Sequence, residues 1–179
     1  AHVDISRNDD ENTVRNAINA YLKDYSVVIL DVEKVSSTFH ARFDAYERSY
    51  KYLVNTRKVP LTLDRERYWW LPRNINIEDM RYASQFLIGK HDFTSFRSSS
   101  CQSNSPVKTL NEIIIIKKYN NIEFHLMAPS FLHNQVRSIV GSLIMVGIGK
   151  WKKQYIKEVL DARNRAKAGI TAPACGLYL

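Results

Sequence analysis

The chain has 179 residues, 45 % of them hydrophobic, and 26 Lys plus Arg against 18 Asp plus Glu give it a net charge of +8. That length and apolar content suffice for a real core and exclude a disordered basic tail. Two cysteines, Cys101 and Cys175, exclude a disulfide scaffold and a four-cysteine zinc site, and point to a reduced, cytoplasmic protein.

Asn8-Asp9-Asp10-Glu11 precedes Val14, Ala17, Ile18, Tyr21 and Leu22. Those spacings of three and four predict a helix with one apolar face and acidic residues at its positive end. Tyr25–Val35 is β-branched and partly alternating, which predicts a strand. Arg48–Asn55 predicts another, with Arg48, Tyr50, Tyr52 and Val54 on one face and Ser49, Lys51 and Leu53 on the other. Asn76 reads as the cap of a helix carrying Ile77, Met80, Ala83, Phe86 and Leu87, closed by Gly89. The runs Ile113–Ile116 and Ile122–Met127, joined by Lys117-Lys118-Tyr119-Asn120-Asn121, predict a hairpin. Helices are expected over Ser130–Ile148 and Lys152–Ala162, and Leu177-Tyr178-Leu179 reads as the start of a strand. Strands and helices do not alternate strictly, so the expected fold is α+β, a mixed and mainly antiparallel sheet flanked by helices.

No membrane span is expected, because the most apolar stretch, Pro129–Gly149, carries His133, Asn134, Gln135 and Arg137. Ala1–Glu11 is acidic and polar, unlike a signal peptide. A start without Met suggests a processed or excised piece. The five histidines, at 2, 40, 91, 125 and 133, lack paired ligand spacing, so no metal site is expected. Six glycines supply no phosphate-binding loop. Neither cysteine has a His nearby in sequence, and small buried side chains are their expected fate.

Arg137 is the most informative residue. Leu132, Val136, Ile139, Val140 and Leu143 form the apolar face of its helix, while Ser130, Asn134, Arg137 and Gly141 line another. A permanent cation there is either a structural or snorkelling Arg, or one that holds a catalytic carboxylate or a phosphate. Tyr50, in a Tyr-rich strand, is either a core aromatic or a ring on which a nucleobase stacks. Basic residues cluster over Arg42–Arg73, among Tyr68, Trp69 and Trp70, and again over Lys150–Lys167. Such runs are commonly solvated faces, yet with interleaved aromatics they suit a nucleic-acid partner.

Four ordered strings carry a closer likeness. Phe39-His-Ala-Arg-Phe43 with Arg48-Ser-Tyr-Lys-Tyr52, Gly89-Lys-His-Asp-Phe-Thr-Ser-Phe-Arg97, Phe131-Leu-His-Asn-Gln-Val-Arg-Ser-Ile-Val-Gly141 and Thr171-Ala-Pro-Ala-Cys-Gly-Leu-Tyr-Leu179 resemble the signature blocks of the tRNA pseudouridine synthase A family. The resemblance implies isomerisation of uridine to pseudouridine at positions 38, 39 and 40 of the tRNA anticodon stem-loop, by a homodimer that uses no cofactor and no metal. It makes Tyr50 the active-site tyrosine that packs against the target base. Arg137 becomes the partner of the nucleophilic aspartate, and Leu177 an apolar neighbour of the base. Arg42, Arg48, Lys51 and Lys108 are the RNA contacts it suggests.

The family's aspartate lies in a G-R-T-D-A-G-V-H motif, and no such motif occurs here. Asp44 and Asp92 fall at family positions outside that motif. Residues 1–35 are therefore expected to be a remnant of an N-terminal catalytic domain, and 36–179 a C-terminal domain cut at its last strand. Alone, such a chain should be inactive; the alternative is a stand-alone RNA-binding module without catalysis. Asn134-Gln135 replaces the family's usual His-Met pair, and Lys108 stands where Arg is common. Neither change is expected to touch the chemistry.

Overall fold

The computed structural model describes residues 1–179, which divide into two compact units, Ala1–Ala45 and Tyr46–Leu179. The first unit holds one helix, α1 (Glu11–Tyr21), capped by Asp10, whose carboxylate accepts from the Thr13 N–H and hydroxyl. No residue of this unit is buried. The strand expected over Tyr25–Val35 does not form. Val27, Val28, Leu30 and Val35 are exposed, and the segment has no partner strand. What it gains instead is a single bracket: the Asn19 side chain donates to the Ile29 carbonyl and accepts from the Ile29 N–H. β-propensity without a partner for the backbone groups gives extended chain, not sheet.

The second unit carries the whole core. Its five-stranded sheet runs β2 (Trp69–Trp70), β1 (Arg48–Asn55), β6 (Asn121–Ala128), β5 (Glu112–Lys118), and β7 (Leu177–Tyr178) also pairs with β1. All pairings in it are antiparallel except β1 with β2. A separate two-stranded ribbon joins β3 (Gly89–Asp92) to β4 (Val107–Leu110). The mixed, mainly antiparallel α+β expectation holds. The hairpin β5–β6 turns at Tyr119, whose φ of 54° suits a tight connection.

Alternation decides what faces inward. Tyr52 and Val54 of β1, Ile122, Phe124, Leu126 and Ala128 of β6, and Ile113 and Ile115 of β5 are all buried on one face. Against them lie α2 (Ile77–Ser84) and α3 (Gln135–Gly147), with α4 (Tyr155–Asp161) packed on α2. The Asn76 cap is present, its side chain accepting from the Asp79 N–H, and a 3₁₀ turn over Gln85–Leu87 extends the helix towards Gly89. Two helices are shorter than expected. α3 starts at Gln135 because Asn134 takes a left-handed conformation, φ 62°, which breaks the helical path before it. α4 covers only Tyr155–Asp161 of the expected Lys152–Ala162. No helix is long and apolar enough to cross a membrane.

Candidate active site

α3 is apolar nearly all round, and it is buried to match: of its residues only Arg137 and Met145 are not buried. Arg137 is therefore a half-buried cation in an otherwise buried first turn. Two backbone interactions fix its place. Its carbonyl accepts from the Ala172 N–H at 3.1 Å, and its Nε donates to the Ala172 carbonyl at 2.6 Å. Close approach of that strap depends on Gly141, where a Cβ would lie 1.8 Å from the Ile170 carbonyl oxygen. The small residue beside Arg137 thus admits backbone.

The third contact of Arg137 is the Asn134 side chain, whose Oδ1 accepts from Nη1 at 3.0 Å. Arg137 has no carboxylate within ion-pair distance, so the structural ion-pair reading fails. Two of its five N–H groups are spent on neutral acceptors. The rest of the guanidinium, including Nη2, can take a carboxylate or phosphate through paired hydrogen bonds.

Tyr50 and Leu177 lie on the sheet face against which α3 packs. Leu177 sits opposite Tyr52 in the β1–β7 register, and Tyr50 is two residues along β1 on that face. Tyr50 is half-buried, and the Phe131 ring meets it edge to face at 5.3 Å. Such contact fixes the tyrosine ring without covering it. Tyr52 ties the group together. Its hydroxyl donates to the Pro173 carbonyl at 2.6 Å, which anchors the strap bearing Ala172. Burial pushes the Tyr52 phenol far above its ordinary value, with Cys175 adding to the rise and the nearby Arg137 charge opposing it. Tyr52 is thus a neutral donor, in electrostatic reach of Arg137.

The suggested RNA contacts sit on different elements. Arg48 donates to the Pro129 carbonyl, and Lys51 points to the opposite sheet face, over the Tyr178 ring at 5.8 Å. There it borders a groove of about 530 Å³ with Ile114, His125 and Met127. Lys108 lies in the ribbon, paired with His91, and Arg42 belongs to the first unit, over the Phe43 ring.

The acidic and sulfur groups singled out by the sequence have partners of their own. Asp92 is held by the Thr94 N–H and hydroxyl and by Arg163, and the Asp44 carboxylate accepts from the His40 N–H. Both cysteines are half-buried, not buried as expected. Cys175 donates to the Tyr68 carbonyl, while Cys101 accepts from the His133 N–H. Burial pushes the Cys101 thiol up, but hydrogen bonds from Ser103, His133 and Arg97 outweigh it and bring it below its ordinary value. Tyr52 and Phe131 are contacts of this group that the sequence does not single out, and the Asn134 side-chain bond to Arg137 is not legible there either. Their signal was the repeat Tyr50-Lys-Tyr52 and the string Phe131–Arg137, read there for single residues only.

The family model for tRNA pseudouridine synthase matches residues 83–179, which include Arg137 and Leu177. The tRNA pseudouridine synthase A of Anaplasma phagocytophilum (strain HZ) is 44 % identical over 178 residues, covering 99 % of this chain and 72 % of that protein. Its counterpart in Maricaulis maris (strain MCS10) is 46 % identical over 179 residues, covering 100 % and 72 %. With likeness running the length of the chain at 44 % and 46 % identity, this protein belongs to the tRNA pseudouridine synthase family.

Proposed function

We propose that this chain forms part of a tRNA pseudouridine synthase that isomerises uridine at positions 38, 39 and 40 of the anticodon stem-loop, in the cytoplasm and as a homodimer. The observation that carries the reading is Arg137, aimed by Asn134 and Ala172 and holding no carboxylate of its own. Its partner is the nucleophilic aspartate, which lies outside these 179 residues. A carboxylate held there by a bidentate guanidinium stays ionised, as a nucleophile must.

The chemistry follows from that pairing. The aspartate attacks the nucleoside, the glycosidic bond to N1 breaks, and the freed uracil turns and rejoins through C5 as the bond to the aspartate breaks and its carboxylate is released. N1 gains a proton and C5 loses one, so the product is an isomer and no cofactor is consumed. Tyr50, steadied by Phe131, packs against the base and assists loss of the C5 proton, while Leu177 closes the apolar side. The target base must leave its stack to reach such a pocket. The remaining positive charge of the chain supports phosphate contacts along the stem.

The test is pseudouridine formation on tRNA. The 179-residue chain alone should form none, and supplying the aspartate-bearing segment should restore turnover. Turnover by the chain alone would place the nucleophile within it and refute the reading. In the active synthase, Arg137→Ala should lower kcat far more than tRNA affinity. Equal losses would instead make Arg137 a phosphate contact. A titration at two salt concentrations separates a tRNA-binding surface from a purely structural unit, which would show no salt-dependent binding.

A further inference from the structure

We propose that Asn134 is a positioning residue for Arg137, one that fixes the guanidinium plane while leaving its charge intact. The proposal rests on Arg137 holding the nucleophilic carboxylate.

Asparagine directly before a helix ordinarily turns its side-chain oxygen onto a first-turn N–H, a cap worth about 1 kcal/mol. Asn134 makes no such bond. Its φ of 62° places it in the left-handed region, which Asn tolerates better than other side chains, and its Oδ1 accepts from Arg137 Nη1 instead. The helix start forgoes its cap, and an arginine gains a fixed contact.

The consequence is geometric. Ala172 O holds Nε and Asn134 Oδ1 holds Nη1, and these two contacts together with the covalent attachment at Cδ give the three points that define the plane of a rigid fork. The two hydrogens of Nη2 and the second of Nη1 remain, enough to grip a carboxylate with one hydrogen from each Nη nitrogen. Both fixed contacts are to neutral oxygens, so the full positive charge stays available to an incoming anion. An aspartate at 134 would hold the fork equally well but would occupy and neutralise it. That contrast separates positioning from mere packing.

The experiment compares Asn134→Gly, Asn134→Asp and Arg137→Ala in the full-length synthase that carries these residues. Glycine suits a positive φ, so Asn134→Gly should leave Tm unchanged or raised, and a loss of activity cannot then be assigned to unfolding. Its kcat should fall about 10- to 100-fold with KM for tRNA unchanged, as expected for a misaimed catalytic partner. Nitrogen NMR of Arg137 in the same variant should show faster rotation of the guanidinium than in the parent protein. Asn134→Asp should keep that rotation slow yet lose at least as much kcat. Unchanged kcat in Asn134→Gly, unchanged rotation, or full activity in Asn134→Asp would each overturn the proposal. Arg137→Ala distinguishes the two levels. If it stays active, the reading of Arg137 fails and the proposal falls with it. If it is inactive while Asn134→Gly is fully active, only the role of Asn134 is lost.

Discussion

Two apolar, β-rich runs have opposite fates in this molecule. Ile113–Ile116 becomes the body of β5, with Ile113 and Ile115 buried against the helices, whereas Val27-Val28-Ile29-Leu30 stays extended with Leu30 81 % exposed. Their local propensities are alike. The difference is the partner: β5 has the whole of β6 beside it, and Val27–Leu30 has one Asn side chain. A strand is a property of a pair, and sequence periodicity speaks only for one member of it.

The contrast is broken or sharpened most strongly by large-to-small substitution. Phe124 is fully buried at the centre of β6, so Phe124→Ala should cost about 3–5 kcal/mol in urea unfolding. Leu30→Ala should cost less than about 0.5 kcal/mol, because it removes no buried contact. A comparable cost for Leu30→Ala would mean that its segment packs in solution, and the contrast would collapse.

The next test concerns close packing. All six glycines lie in the second unit, and Gly141 is the most constrained of them. In Gly141→Ala the new methyl would meet the Ile170 carbonyl oxygen, which is backbone and cannot rotate away. The expected destabilisation is about 3 kcal/mol, the upper range for overpacking, with loss of the Arg137–Ala172 clasp visible as faster amide exchange at Ala172. An unshifted Tm would show that the 168–173 strap is loose.

The same contrast explains what the sequence could disclose. The β1 alternation, the Asn76 cap and the β5–β6 hairpin were legible because each is a local pattern that its own neighbours satisfy. β2 and the β3–β4 ribbon were not, since Trp69-Trp70 is too short to show a period and Gly89–Asp92 is polar; only pairing defines them. In the site, Arg137 was conspicuous as a charge on an apolar helix, and Tyr50 and Leu177 followed from resemblance. The Asn134 contact depends on a positive φ, and the separation of Arg48 from Lys51 depends on strand alternation applied to side chains read as one basic run.

A smaller effect sharpens the difference at single hydroxyls. Tyr52 donates from a fully buried position, while Tyr21 and Tyr25 of the first unit are 86 % and 69 % exposed. Tyr52→Phe should cost about 1 kcal/mol by removing one buried hydrogen bond, and Tyr21→Phe and Tyr25→Phe should be neutral within about 0.5 kcal/mol. Equal effects at all three positions would deny Tyr52 its place as the anchor of the strap.

The smallest effect is one of pH, and here the two units use the same device. Asp10 and Asp92 each accept from a nearby threonine N–H and hydroxyl, and both carboxyls lie below their ordinary 3.8. At Asp92 partial burial works the other way, but the Thr94 bonds and the Arg163 charge prevail. A carboxyl lowered in the folded state stabilises it above the ordinary value and loses that contribution as pH falls through the folded value. The acid side of pH 3.8 is therefore the window for both. Their readouts should nevertheless separate. Protonating Asp92 should lower the unfolding midpoint of the second unit, by no more than about 1 kcal/mol because the pair with Arg163 is solvent-screened. Protonating Asp10 should fray α1, reducing helical circular dichroism without moving that midpoint. Asp92→Asn should then differ from the parent at pH 7 and converge with it as pH falls well below 3.8. If the gap persists in acid, the stabilisation comes from side-chain packing at position 92, and the carboxylate's charge contributes nothing.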